Sequence, residues 1–526
     1  MNMGSANKAI AIQLQQAITS HRQGNLPQAL WLFQQVLTAD PYNLQALAEA
    51  GQMLNQMGRF EEALNCFNRA AIARPDDPAI YYNSGTALRG LERYESALNS
   101  FDKAIALKPA FAEAHDGRGN TLDDLQRYEE ALVSFNKAIE CNKKFAIAYN
   151  NRGVLLHEKF ERYDEALISL NKAVALQPNF AEAHYNRALL LYVTGRHSEA
   201  LAGYERALYL NPGYIEARYN KGTLKLLLGD FQQGWPLYEF RWIANKSKEK
   251  LPPFKQPLWL GDQPVTGKTL LLHAEQGYGD TLQFVRYVLL LAPLAGKIIL
   301  KVPAPLVPLL STLDANITLI TKGDSLPPFD LHCPLMSLPL AFRTTVESIP
   351  GPFPYLSADP EMQADVLKRL GPRVKPRIGL VWSGNPAHLN DHNRSMPLQA
   401  LKPLLELDYE FHSLHKEIRP EEQALLSELT QIHSHQDELH DYACTAALIS
   451  AMDLIICVDT SVVHLAGALG KKVWLLLPLL PDWRWMLERE DSPWYPSARL
   501  FRQRSKHDWS GLIDNVIAEL QTNSLK

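Results

Sequence analysis

Two short stretches carry residue types that chemistry needs. The first, LIICVDTSVVHLAGALGKKVWLLL from Leu454 to Leu477, places Asp459, Thr460, Ser461 and His464 between two apolar runs. The runs read as strands covered on both faces, and Asp459, Thr460 and Ser461 supply the cap of a short helix that Gly470 ends. A helix start at the carboxyl end of a parallel strand presents free N–H groups and a positive dipole end, which suit a phosphate. His464 lies one turn in. The same residues fit an ordinary βαβ unit whose cap is only a cap and whose histidine is packed. The second stretch, EQGYGD, holds Gln276, Gly277, Gly279 and Asp280 after the apolar run KTLLLH. Its glycines allow a ligand close to the backbone. Asp280 is either a proton acceptor at a strand end or a helix cap.

Around these stretches the second half of the chain alternates apolar runs with amphipathic ones. KTLLLH, IILKV, ITLIT and FDLHC read as strands of one parallel sheet, and GDTLQFVRYVLLLAPLAG as a crossover helix. A second series follows: RIGLVW and YEFHSLH as strands, LQALKPLLEL as a helix, a helix near ACTAALISAM, then the opening stretch and a closing amphipathic helix, WSGLIDNVIAELQ. The loop Ser383, Gly384, Asn385 follows the strand RIGLVW. The stretch PDWRWMLEREDSPWYP, with Trp483, Trp485, Trp494 and Tyr495, fits either stacking on a sugar or base or packing between domains.

The first half repeats itself. Pro41, Pro75 and Pro109 are spaced by one 34-residue period, and so are Pro178 and Pro212. Ala29, Ala63, Ala97, Ala131, Ala166 and Ala200 run in phase, followed four residues on by Phe33, Phe67, Phe101, Phe135, Leu170 and Tyr204. Gly51, Gly85, Gly119, Gly153 and Gly222 mark the small position of each first helix. Asn83, Asn151, Asn186 and Asn220 stand two residues before the small position of their own units. Their amides can meet a peptide backbone or only water. Glu49 and Gly117 interrupt the series.

This pattern resembles the tetratricopeptide (TPR) repeat: about seven helix hairpins in 1–242, then a connector, 243–266. The α/β part divides into 267–372 and 373–526. It resembles the heptosyltransferase-type glycosyltransferases (family 9), chiefly through DTSVVHLAGALG, and the order TPR then α/β resembles the protein O-GlcNAc transferases. The resemblance implies an α-helical TPR solenoid followed by an α/β GT-B fold of two Rossmann-like domains, with the final helix crossing back to the first. It implies a nucleotide-diphosphate sugar as co-substrate, with no other cofactor; no metal is expected either, because basic groups and a helix end can carry the charge and the sequence holds no DxD or His/Cys cluster. Asp459, Thr460, Ser461 and His464 would surround its diphosphate and sugar, and Ser383, Gly384 and Asn385 would line the donor side. Arg394 and Lys416 fall near the family's basic residues, and Asp280 is the candidate base. Ser461 stands where the family has glycine, which narrows the approach to the diphosphate. The acceptor, a protein or a saccharide, would be chosen by the TPR groove. A non-catalytic scaffold or nucleotide-sugar sensor with a degenerate transferase domain is the alternative.

Composition sets the bounds. With 526 residues, a net charge of −4 and a sequence pI near 6.5, the chain offers no electrostatic case for nucleic acid. Five cysteines lie far apart without a CxxC pair, and no apolar window is long enough for a membrane span. The N-terminal stretch lacks a secretory pattern, so the expected compartment is cytoplasmic.

Overall fold

The structure, a computed structural model, describes residues 3–244, 250–313, 316–351 and 353–522. Part of the expected connector, 245–249, lies outside the described residues. The chain divides into two compact units, Met1–Gly213 and Tyr214–Lys526.

The first unit is a succession of helix hairpins. First helices are Met3–Arg22, Leu44–Gln56, Pro78–Gly90, Ala112–Asp124, Ala146–Glu158 and Ala181–Val193. Second helices are Leu26–Ala39, Phe60–Ala73, Tyr94–Leu107, Tyr128–Cys141, Tyr163–Leu176 and His197–Leu210. Within a hairpin the spacing does what the sequence suggests. A Cβ added at Gly51, Gly85 or Gly119 would lie 2.6, 2.8 or 2.6 Å from the ring of Phe67, Phe101 or Phe135. The missing side chain is therefore the seat of the aromatic ring, and each ring so buried stabilises the hairpin by about 1.5–3 kcal/mol. The in-phase alanines are fully buried where the helices cross. Each turn between paired helices needs one left-handed residue. Gly24, Gly58 and Gly195 supply it in three hairpins, and Glu92, Gln126 and Glu161 do so in the other three.

The asparagines of this unit join neighbouring repeats. Asn151 Nδ2 donates to Asp116 at 3.1 Å, Asn186 Nδ2 to Asn150 at 2.9 Å, and Asn55 Nδ2 to the Asn83 carbonyl at 3.1 Å. Asn120 holds the second oxygen of Asp116. Two of the four amides expected to face a peptide, those of Asn151 and Asn186, are spent on the preceding hairpin.

The second unit opens with a shorter hairpin, Ile215–Leu227 and Phe231–Tyr238, where Pro236 precedes a 3-10 turn, Glu239–Trp242. Asn220 stands on its first helix. This hairpin docks on the α/β layers: Trp235 Nε1 donates to the Thr344 carbonyl at 2.9 Å, and its ring meets Trp483 edge-on at 5.3 Å. Arg241 and Glu275 form a buried two-pronged ion pair, with contacts of 2.9 and 2.8 Å.

Two parallel sheets follow. The first holds β1 (Thr269–His273), β2 (Lys297–Lys301), β3 (Ile317–Ile320) and β4 (Leu331–Pro334) in the order β3-β2-β1-β4. The second holds β5 (Arg377–Val381), β6 (Glu410–Ser413), β7 (Ile432–Ser434), β8 (Leu454–Val458), β9 (Val473–Leu477) and β10 (Ala498–Arg502), ordered β10-β9-β8-β5-β6-β7. The order reverses between β1 and β4 and again between β5 and β8, which pair in parallel from Ile378↔Leu454 to Val381↔Cys457. In doubly wound sheets a ligand crevice opens outside the carboxyl ends at such a reversal.

Three expected elements differ. LQALKPLLEL is no α-helix but two 3-10 turns, Leu398–Leu401 and Leu404–Glu406, because Pro403 has no N–H for a continuous ladder. GDTLQFVRYVLLL is two short helices, Tyr278–Phe284 and Arg286–Leu291, meeting at Val285. The closing helix Trp509–Thr522 stays with the second sheet, where Trp509, Leu512, Ile513 and Val516 share one buried cluster with Ile378, Leu380 and Leu454. Its apolar stripe is used up there.

Candidate functional site

The crevice at the β5/β8 reversal gathers most of the residues singled out above. The chain leaves β5 through Trp382, whose backbone N–H donates to His415 Nε2 at 3.1 Å. Burial holds the His415 ring neutral, with its pKa pushed down to about 3. The next residue, Ser383, is buried. The Gly384 N–H donates to Ser395 Oγ at 2.9 Å, and a Cβ at Gly384 would come within 2.8 Å of the Arg394 guanidinium. Arg394 lies across this glycine and donates through Nη1 to the Asp459 carbonyl at 3.1 Å. One arginine therefore spans the loops that follow β5 and β8. Its Nε is buried and finds no hydrogen-bond partner among the described residues.

Asp459 stands at the end of β8. Burial, helped by the neighbouring Asp482 carboxylate, pushes its pKa up to about 6 against the pull of Arg394. Thr460 caps the helix Ser461–Ala468. Ser461 Oγ accepts a 2.7 Å hydrogen bond from the Tyr442 hydroxyl. His464 is buried against Trp485, with ring centroids 5.5 Å apart, and its Nδ1 lies 2.9 Å from the Tyr495 hydroxyl. Burial first, and then three arginines, Arg484, Arg286 and Arg394, drive its pKa well below the usual imidazole range, so it is neutral.

The EQGYGD loop leaves β1 and reaches the same place. Gln276 takes a left-handed φ of 57°, and Gly277 precedes the helix Tyr278–Phe284. A Cβ at Gly279 would sit 2.7 Å from His464 Cδ2 and 3.4 Å from Ser461 Cα, so the two motifs touch. Asp280 is not a free carboxylate. Its Oδ2 accepts the Gly277 N–H at 2.8 Å and its Oδ1 accepts from Arg484. Burial raises its pKa while Arg484 opposes.

Two candidates turn elsewhere. Asn385 Oδ1 caps the Ala387 N–H within its own loop, and Lys416 Nζ donates to the His440 carbonyl at 3.0 Å, beyond the end of β6. The aromatic residues Trp483, Trp485, Trp494 and Tyr495 are buried packing, which leaves them no open face for a sugar.

Two arginines escaped the sequence reading. Arg419 Nη2 reaches Asp391, Ser395 Oγ at 3.0 Å and the Gly384 carbonyl at 3.3 Å, and so holds the loop under Arg394. Arg484 donates to Gln283 Oε1 at 2.6 Å and Asp482 Oδ1 at 2.8 Å as well as to Asp280. Both stand beside residues that drew attention for other reasons: Arg419 follows closely on Lys416, and Arg484 lies between Trp483 and Trp485.

Comparison with known proteins bears on the repeats. Tetratricopeptide-repeat family models match residues 21–83, 78–111, 119–159 and 151–215. The N-terminal half is a TPR array. Such an array is a protein-interaction scaffold. The chain is 28% identical over 326 residues to FlbA of Caulobacter vibrioides, a match covering 56% of this chain and 53% of FlbA. It thus spans about half the length of that curated relative. Among solved structures, it is similar to TTC0263, a thermophilic TPR protein of Thermus thermophilus (26% identity, 35% of this chain, 99% of that one, TM-score 0.32). It is also similar to a TPR protein from Parabacteroides merdae (21%, 46%, 95%, 0.38) and to YrrB, described as a TPR protein with an unusual peptide-binding site (22%, 36%, 97%, 0.28). Among the described residues no helix is long and apolar enough to cross a membrane.

Proposed function

We propose that the α/β part is a glycosyltransferase of GT-B type that moves a sugar from a nucleotide-diphosphate sugar to an acceptor selected by the TPR array, a protein or a saccharide. The observation that carries this reading is Arg394. It bridges Gly384 and the Asp459 carbonyl at the strand-order reversal, and its Nε makes no hydrogen bond among the described residues, with Asp391 Oδ1 3.9 Å away. A guanidinium there, beside the start of the helix Ser461–Ala468, suits a diphosphate.

In the reaction the acceptor oxygen attacks the anomeric carbon as the bond from that carbon to the diphosphate oxygen breaks. The acceptor proton passes to Asp280, and its raised pKa makes it the stronger base. The charge that grows on the departing diphosphate falls to Arg394 and the helix end. Groups of this kind neutralise a leaving diphosphate without a metal ion.

Titration calorimetry of the full chain with UDP, GDP and their sugars tests this. At least one diphosphate is expected to bind, about ten- to a hundredfold more weakly in Arg394→Ala, the cost of losing hydrogen bonds to a charged group. The reading falls if none of the panel binds the folded chain, or if the variant binds as well. A nucleotide-sugar sensor is the second reading, favoured by the occupation of both Asp280 oxygens by Arg484 and Gly277. Binding without transfer or hydrolysis would select it.

A further inference from the structure

We propose that Tyr278, Tyr442 and Ser461 form the wall against which the sugar ring of the nucleotide sugar lies, an assignment that rests on the function proposed above. Three observations place them together. The Tyr442 hydroxyl donates to Ser461 Oγ at 2.7 Å, and the rings of Tyr442 and Tyr278 meet at 5.3 Å with a tilt of 59°. Tyr278 keeps 42% of its surface exposed although both its neighbours in the chain are held: Gly277 donates to Asp280, and Gly279 packs on His464 and Ser461. Its open face is therefore fixed in place by the residues on either side.

Hydrogen-bond accounting gives the wall a direction. Ser461 Oγ already receives the Tyr442 proton, so its own O–H is left to donate to another partner. Burial raises the Tyr442 pKa, so its hydroxyl keeps its proton. An aromatic face next to a preset hydroxyl donor suits a pyranose, which has C–H groups on one face and hydroxyls at its edge.

Calorimetry on the full chain with matched pairs separates this from the broader reading: UDP against UDP-glucose and UDP-N-acetylglucosamine, and GDP against GDP-mannose. Tyr278→Ala should weaken the sugar form about tenfold, as for loss of one stacked ring, and leave the free diphosphate within about twofold. Tyr278→Phe should bind both forms like the wild type. Tyr442→Phe, which releases Ser461, should weaken the sugar form more than the diphosphate. Equal losses on both forms, or none, would overturn the assignment while the donor site stands. A wild-type chain that binds free diphosphates but no sugar form overturns it too. If no nucleotide binds the wild type at all, the proposed function fails and this assignment fails with it. Melting temperatures close to wild type, expected for the exposed Tyr278, show that the variants are folded.

Discussion

Arg484 and Asp280 form a largely buried ion pair that ties the turn after β9 to the helix following β1. The same guanidinium also holds Asp482, so two carboxylates share one cation. Arg484→Met leaves both without it and should cost about 3–5 kcal/mol of stability in urea denaturation at neutral pH. Asp280→Asn keeps an acceptor for the Gly277 N–H but removes one charge. It should cost about 1–3 kcal/mol, lower turnover by about 10²–10⁴-fold and leave donor affinity nearly intact. Wild-type turnover in that variant ends the base assignment; wild-type stability in both ends the structural one.

Asp116 makes the TPR array sensitive to pH. Burial raises its pKa to about 6 from an ordinary 3.8, although Asn151 and Asn120 both donate to the carboxylate. A carboxyl with a raised folded pKa holds its proton better folded than unfolded. Its contribution is complete below about pH 4 and disappears as pH rises through about 6, a loss of about 3 kcal/mol. Asp116→Asn should flatten that part of the stability profile and stabilise the array at pH 7.5. Urea denaturation followed by far-UV circular dichroism, from pH 4 to 7.5, reads both effects. A slope that survives the substitution assigns the titration to another group.

His464 has the opposite sign. Its folded pKa lies well below the ordinary 6.5, so the unfolded chain takes up a proton first as the medium is acidified. Its contribution is present above about pH 6.5 and is lost as pH falls. His464→Phe, which keeps the stack on Trp485 and gives up the Tyr495 contact, should be destabilising by about 1–2 kcal/mol at pH 7.5 and less so at pH 5. Thermal melts of the two chains should therefore converge in acid. Parallel curves would mean that His464 is already protonated in the folded chain.

The hairpin turns offer a gain. Gln126 takes a φ of 60°, the place filled by glycine in other repeats. Gln126→Gly relieves the left-handed strain and gives back part of it as unfolded-state entropy, for a net stabilisation of about 0.5–1 kcal/mol. A melting temperature below wild type would show that the glutamine side chain holds something the turn needs.

The repeats were legible because each depends on contacts close in sequence. A glycine on the first helix and an aromatic residue sixteen further on, as in Gly51 and Phe67, meet inside one hairpin, so their spacing is their geometry. The same holds for the strand ends at Ser383 and Asp459, where an apolar run stops and polar residues begin. Sequence also marked the two glycine-bearing motifs as places of close approach. What it left open were the partners of long charged side chains. Arg484 and Asp280 are separated by 204 residues, and Arg394 and Asp459 by 65. A guanidinium on a flexible stem can reach many carboxylates, and only the folded sheets decide which one is near. That also decided the closing helix: its apolar stripe was plain, but a stripe fits any apolar surface, and the nearest was the second sheet's own. The asparagine series shows the same limit. Its period was visible, but whether an amide faces a ligand or the next repeat depends on what stands opposite, and opposite Asn151 stands Asp116.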